Sequence, residues 1–207
     1  MKALILKDLY VLLYQKKMLG VLISLFAIGS IFFGDVGLLL TFLTVLCLVQ
    51  VNASLAYDET SQWNRFANTL PIKKADIVKS KYAFSLLLLF LVLVIVLPVF
   101  FITNAVYKSF TFHEFLSLLC MIMSGLLFIL SLTLPIFIRF GQQKAKISVL
   151  AIIMIVIIAS NVFSNGTFIQ DLSGNLNFLN LVMPLIAIVI FYISFKIAVT
   201  FYESKEF

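Results

Sequence analysis

The sequence predicts an all-α integral membrane protein with six transmembrane helices and a short amphipathic helix at its N-terminus. Three observations carry this. Of the 207 residues, 63% are hydrophobic and only 12% are charged, about half the charged fraction of a soluble domain. A soluble fold of this size could not cover so much apolar surface, so the solvent for most of the chain is lipid. The apolar residues also come in continuous runs rather than alternating, which excludes a membrane barrel and leaves helices, since unpaired backbone groups are too costly in hydrocarbon. Finally, Lys and Arg flank these runs with a strong bias to one side.

The elements follow in order. Residues 1–17 read as an interfacial helix, with Lys7, Asp8 and Gln15 on one side and Leu4, Ile5, Leu9, Leu12 and Leu13 supplying apolar surface. Lys16 and Lys17 mark the water boundary. The first span, 18–33, ends at Gly34-Asp35-Val36-Gly37, a tight turn with two glycines. The second covers 38–57, and a polar segment, 58–81, follows it. The third covers 82–103 with Pro98 near its end, and the fourth 115–138 with Pro135 near its end. A basic loop, 139–146, leads to the fifth, 147–162. A Gly/Asn/Ser-rich stretch, 163–176, precedes the sixth, 177–201, with Pro184 early in it. Six spans use roughly 120 residues, so residues 1–207 form a single transmembrane domain.

Orientation follows from the basic residues. Lys2, Lys7, Lys16, Lys17, Arg65, Lys73, Lys74, Lys79, Lys81, Arg139, Lys144, Lys146, Lys196 and Lys205 fall on one side, and Lys108 alone on the other. The first side is therefore expected in the cytoplasm of a cell-membrane protein, and an even number of spans puts both termini there. The net charge of +6 belongs to this pattern and not to a nucleic-acid partner. No removable signal peptide is expected, because Lys2, Lys7 and Asp8 interrupt the first apolar stretch.

Catalytic chemistry finds little footing. His113, the single histidine, sits in a short turn beside Glu114 and cannot build a metal cluster. Cys47 and Cys120 lie inside apolar runs and read as inert thiols. Asp35 and Asp171 read as solvated caps in turns. No phosphate-binding loop is present, so the chain is not expected to hydrolyse ATP. No catalytic residue, metal or cofactor is assigned. Ion-driven transport is disfavoured as well, because the spans carry neutral polar groups where such transporters bury charge. Lys196 lies near a span end, where it can snorkel. Among the neutral groups, Gln50, Asn52, Ser131 and Asn161 are the candidates for lining a translocation path. Helix packing is the plainer role for the whole set, which includes Ser54, Ser124, Thr133 and Ser160.

Residues 58–81 form the longest and most charged loop. They read as two short helices broken at Leu70-Pro71, since the residue before proline disfavours helix. Thr60 or Ser61 is expected to cap the first, and Asp76 falls in the first turns of the second. Trp63 and Phe66 stand three apart and form a small apolar stripe. Such a stripe suits a groove on a partner, or else anchors the loop at the membrane surface.

The segments Leu4–Leu9 (LILKDL), Asp58-Glu59, Trp63, Leu70-Pro71-Ile72 and Asp76–Tyr82 (DIVKSKY) resemble the permease subunits of ABC-2-type transporters, in particular the small six-span group. The layout is similar along the whole chain. The resemblance implies a half-transporter that pairs with a second permease chain, identical or not, above two cytoplasmic ABC ATPase subunits. It makes residues 1–17 the interfacial elbow, 58–68 the coupling helix and 163–176 the re-entrant external region. Asp58, Glu59, Trp63, Arg65 and Phe66 then become the ATPase-coupling residues. The layout is also similar to permeases that export amphipathic peptides, such as phenol-soluble modulins or bacteriocins. The competing expectation is a membrane immunity protein that binds a peptide in the bilayer and needs no ATPase. An integral membrane enzyme is a third, against which the missing His and carboxylate constellations count.

Overall fold

The computed structural model describes residues 2–107, 111–164 and 176–204; the side chains of Lys2, Asn64, Arg65, Asn68 and residues 142–181 lie outside that description. Among the described residues the chain is helical, with seven helices: α1 (Lys2–Tyr14), α2 (Lys16–Phe33), α3 (Val36–Thr60), α4 (Trp63–Thr69), α5 (Lys74–Tyr107), α6 (Phe112–Ser164) and α7 (Leu176–Glu203). α6 is broken at Gly141, whose φ of 78° and ψ of 176° are not helical. Its first arm is Phe112–Gly141 and its second arm 142–164.

Five described segments are long and apolar enough to cross a membrane: α2, α3, α5, the first arm of α6 and Val182–Glu203 of α7. The expected fifth span, 147–162, falls on the second arm, which is helical in backbone. Two boundaries need correction. The basic stretch 139–146 is not a loop but helix on either side of the Gly141 break. The polar segment 58–81 is helical on both sides of Leu70-Pro71, as expected, but its two ends belong to the neighbouring spans. α3 continues to Thr60 and α5 starts at Lys74, leaving only 61–73 between them. α5 therefore has 34 residues, about 51 Å at 1.5 Å per residue, and projects well beyond a hydrocarbon core of about 30 Å.

The turn between α2 and α3 is built as its residues dictate. Gly34 ends α2 in the left-handed region at φ 69° and returns its N–H to the carbonyl of Ser30. Asp35 then caps α3 by accepting from the N–H of Gly37 at 2.8 Å. At the start of α6, Thr111 and Glu114 form a reciprocal capping box. Glu114 Oε2 accepts from the Thr111 N–H at 2.9 Å, and Thr111 Oγ1 accepts from the Glu114 N–H at 3.3 Å. Glu114, beside His113, is thus a structural cap.

α3 packs against α2, α5 and α6, while α7 lies along α6 and α5. Leu39, Leu40, Phe84, Val96, Phe100, Leu130 and Leu134 fill the interior. Phe100 stacks on Phe115 with centroids 3.8 Å apart, and Phe26 on Phe42 at 3.5 Å. α2 leaves Met18, Val21, Leu25, Ile28 and Phe32 exposed. That apolar face requires lipid around it. α1 lies against α5 and α3 at one end of the bundle.

Candidate functional site

An amphipathic α1 was expected to turn Lys7 and Asp8 toward water. The structure instead turns them inward, and this is the main correction to the sequence-based picture. Asp8 is 1% exposed. Its Oδ1 accepts from Lys81 Nζ at 2.7 Å and from Ser54 Oγ at 2.8 Å. Lys81 Nζ also donates to Ser54 Oγ at 2.8 Å and pairs with Asp58 Oδ2 at 2.5 Å. Lys7 Nζ pairs with Asp58 Oδ1 and lies 3.3 Å from Asp8 Oδ1. Two cations and two carboxylates from α1, α3 and α5 thus form one neutral cluster.

Its placement follows from helical spacing. Ser54 and Asp58 stand four residues apart on the same face of α3. Lys81 lies two turns into α5 and so reaches them from the neighbouring helix. Asp58 is therefore a buried residue of a span and not the first residue of a coupling helix. Lys81 is not a free marker of orientation. Burial holds the Lys7 ammonium below its usual range, and the neighbouring Lys81 charge adds to this, while Asp58 and Asp8 act in the opposite direction. Desolvating four charges is costly, and the cluster persists only because each charge meets an opposite one at hydrogen-bond distance. Asp8 Oδ2 is buried without a hydrogen-bond partner.

α4 sits directly beside this cluster. Thr60 and Ser61 do not cap it: their hydroxyls donate back to the carbonyls of Ala56 and Tyr57 in α3. Gln62 precedes α4 in the left-handed region at φ 52°. The short helix ends at Leu70, which is extended at φ −83° and ψ 150° ahead of Pro71. The Trp63–Phe66 stripe is divided between two environments. Trp63 is half-buried, with Lys7 Nζ 4.6 Å above its ring. Phe66, 5.5 Å away by centroid, is 55% exposed. Ala67 is fully buried beneath them. The Arg65 side chain lies outside the described residues.

Glu59 reaches a different place. A Cβ on Gly141 would lie 3.1 Å from Glu59 Oε1, and Gly141 has a positive φ. The carboxylate thus fits where the break in α6 leaves no side chain. A second polar connection ties α5, α6 and α7 together. Tyr82 Oη and Ser194 Oγ are 2.7 Å apart, and Ser194 Oγ donates to the Ser131 carbonyl at 2.5 Å. Near the same end Lys74 Nζ donates to the Glu203 carbonyl at 3.2 Å.

The four path candidates are attached to separate places. Gln50 is buried and donates to Gln15 Oε1 at 3.2 Å, where α1 gives way to α2. Ser131 belongs to the contact with Ser194, and Asn52 is half-buried on α3. The Asn161 side chain and residues 165–175 lie outside the described residues. Cys47 and Cys120 are free thiols, and among the described residues no group of three His, Cys, Asp or Glu could hold a metal.

Sequence reasoning missed the cluster, Ser54 and Lys81 above all. The available signal was that the two segments carrying the family resemblance, residues 4–9 and 58–82, contain its four charges in equal numbers of each sign. No curated protein and no solved structure matches the chain. One family does, described as ABC-2 family transporter protein, and it matches residues 3–203, from the first turn of α1 to the end of α7. With α1, the buried charges and the spans all inside that match, the chain belongs to the ABC-2 transporter family, as the multi-pass membrane permease component of an ABC transporter that works with an ABC ATPase.

Proposed function

We propose that this permease exports an amphipathic substrate of peptide type, and that the ATPase drives it through α4. One observation supports this above the others. α4 is joined to α1 by Lys7 over Trp63, and α1 is joined to α3 and α5 by the buried charges, while Phe66 stays exposed. A cytoplasmic ATPase that seats Phe66 would move three helices together rather than one loop. In this reading the coupling element is Trp63–Thr69, which includes Arg65, with Glu59 at its flank, and both termini face the cytoplasm. A second permease chain completes the path, and residues 163–176 form its re-entrant external part. The described interior is aliphatic, aromatic and hydroxyl, and its buried charges neutralise one another. That suits an amphipathic chain better than a bare ion.

The test is reconstitution with the ATPase in proteoliposomes. Phe66→Asp should leave the permease folded but abolish ATP-dependent movement of an amphipathic helical peptide. Wild-type transport by Phe66→Asp would remove the coupling role. A Phe66→Cys variant labelled only from outside intact cells would overturn the orientation.

A further inference from the structure

A second feature lies away from the charge cluster, on the face where the first arm of α6 meets α7. Ser131, Pro135, Ile136, Ile193, Ile197 and Phe201 line an open groove of about 340 Å³, with Arg139 at one end. Its body is apolar. The two serines at the other end are already engaged with each other, and Ser131 Oγ also donates to the Phe128 carbonyl. The groove therefore offers no free donor along its length, and a polar occupant would lose its hydrogen bonds there.

The Arg139 end is different. Its guanidinium lies 4.5 Å over the Phe201 ring and 5.2 Å over Phe140. Arg139 takes no part in the ion pairs of the charge cluster and is exposed. It sits two residues before the Gly141 break, in the last turn of a segment long and apolar enough to cross a membrane, and a span's end is where a cation can reach the headgroups. From Ser131 to Arg139 the groove follows eight residues of helix, about 12 Å. An aromatic-braced cation at the membrane surface, above an apolar channel of that length, matches one chemistry: a phosphate on an acyl chain.

We infer that the α6–α7 groove binds an anionic phospholipid, with the phosphate on Arg139 and an acyl chain against Pro135, Ile136, Ile193 and Ile197. The guanidinium fork suits a phosphate bidentately. Basic pockets between spans are a known route to headgroup recognition.

Native mass spectrometry of the detergent-purified protein, titrated with phosphatidylglycerol or phosphatidylcholine, tests this. Phosphatidylglycerol should be retained over phosphatidylcholine, and Arg139→Gln should lower its retention about fivefold, the effect of one cation at an anionic surface. Arg139→Lys should keep part of the preference. Ile197→Trp, which fills the groove and leaves the cation, should lower retention of both lipids. Equal retention of the two lipids by the wild type would overturn the inference. So would unchanged phosphatidylglycerol retention in both Arg139→Gln and Ile197→Trp. A change in those variants confined to oligomeric state or to binding of an amphipathic peptide would assign the groove to a protein chain instead and equally overturn it.

Discussion

At one end of the bundle α1, α3 and α5 meet through Asp8, Asp58 and Lys81, which are buried, and Lys7, which is partly exposed at their edge. At the other end α2 turns into α3 on Gly34 and Asp35, Phe100 stacks on Phe115, and Tyr107 Oη donates to the Phe32 carbonyl at 3.1 Å. The first end is specified by geometry: a displacement of an ångström leaves a buried charge unpaired. The second is held by ring contacts and exposed caps, which tolerate small shifts. The contrast suggests which end moves as one piece and which end adjusts.

Substitutions can break or sharpen that contrast. Lys81→Ala should have the largest effect, about 3–5 kcal/mol, because Asp8 and Asp58 would keep one cation between them. Thermal unfolding of the purified protein in detergent measures it. The joint replacement Asp8→Asn with Lys81→Met should cost less than Lys81→Ala alone, since it removes opposite charges together. A loss below about 1 kcal/mol for Lys81→Ala would mean that water reaches the cluster.

Ser194→Ala should come next, at about 1–3 kcal/mol, because it strands the buried Tyr82 hydroxyl. Gly141→Ala should cost about 1–2 kcal/mol from its positive φ alone. Combining it with Glu59→Ala should recover the part due to crowding by the carboxylate. Asp35→Ala, at the opposite end, should cost about 1 kcal/mol, and Asp35→Ser close to nothing. If Asp35→Ala matched Lys81→Ala in the same melt, the two ends would not differ in the way described.

The spans were legible because lipid demands long apolar runs with satisfied backbones, and such runs are local. Gly34, Asp35 and the Leu70-Pro71 break were legible for the same reason, since each acts on its own backbone. The charge cluster was not. Its bonds join residues 46, 51 and 73 positions apart, and no periodicity records a contact of that range. Lys7 and Asp8 fitted a polar helix face equally well whether that face met water or Ser54. Residues 139–146 misled in the opposite way. Their basic composition suggests a loop, but only Gly141 leaves the helical conformation, and one glycine does not separate a kink from a turn.

Gln62 joins α3 to α4 in a backbone state that a residue with a side chain enters at a cost of about 1 kcal/mol. The cost of that state is offset by the contacts α4 makes, with Ala67 fully buried and Trp63 under the Lys7 ammonium. If the ATPase does seat Phe66 as proposed, the seven-residue stub is short enough to carry a displacement to α3 without a long lever of its own.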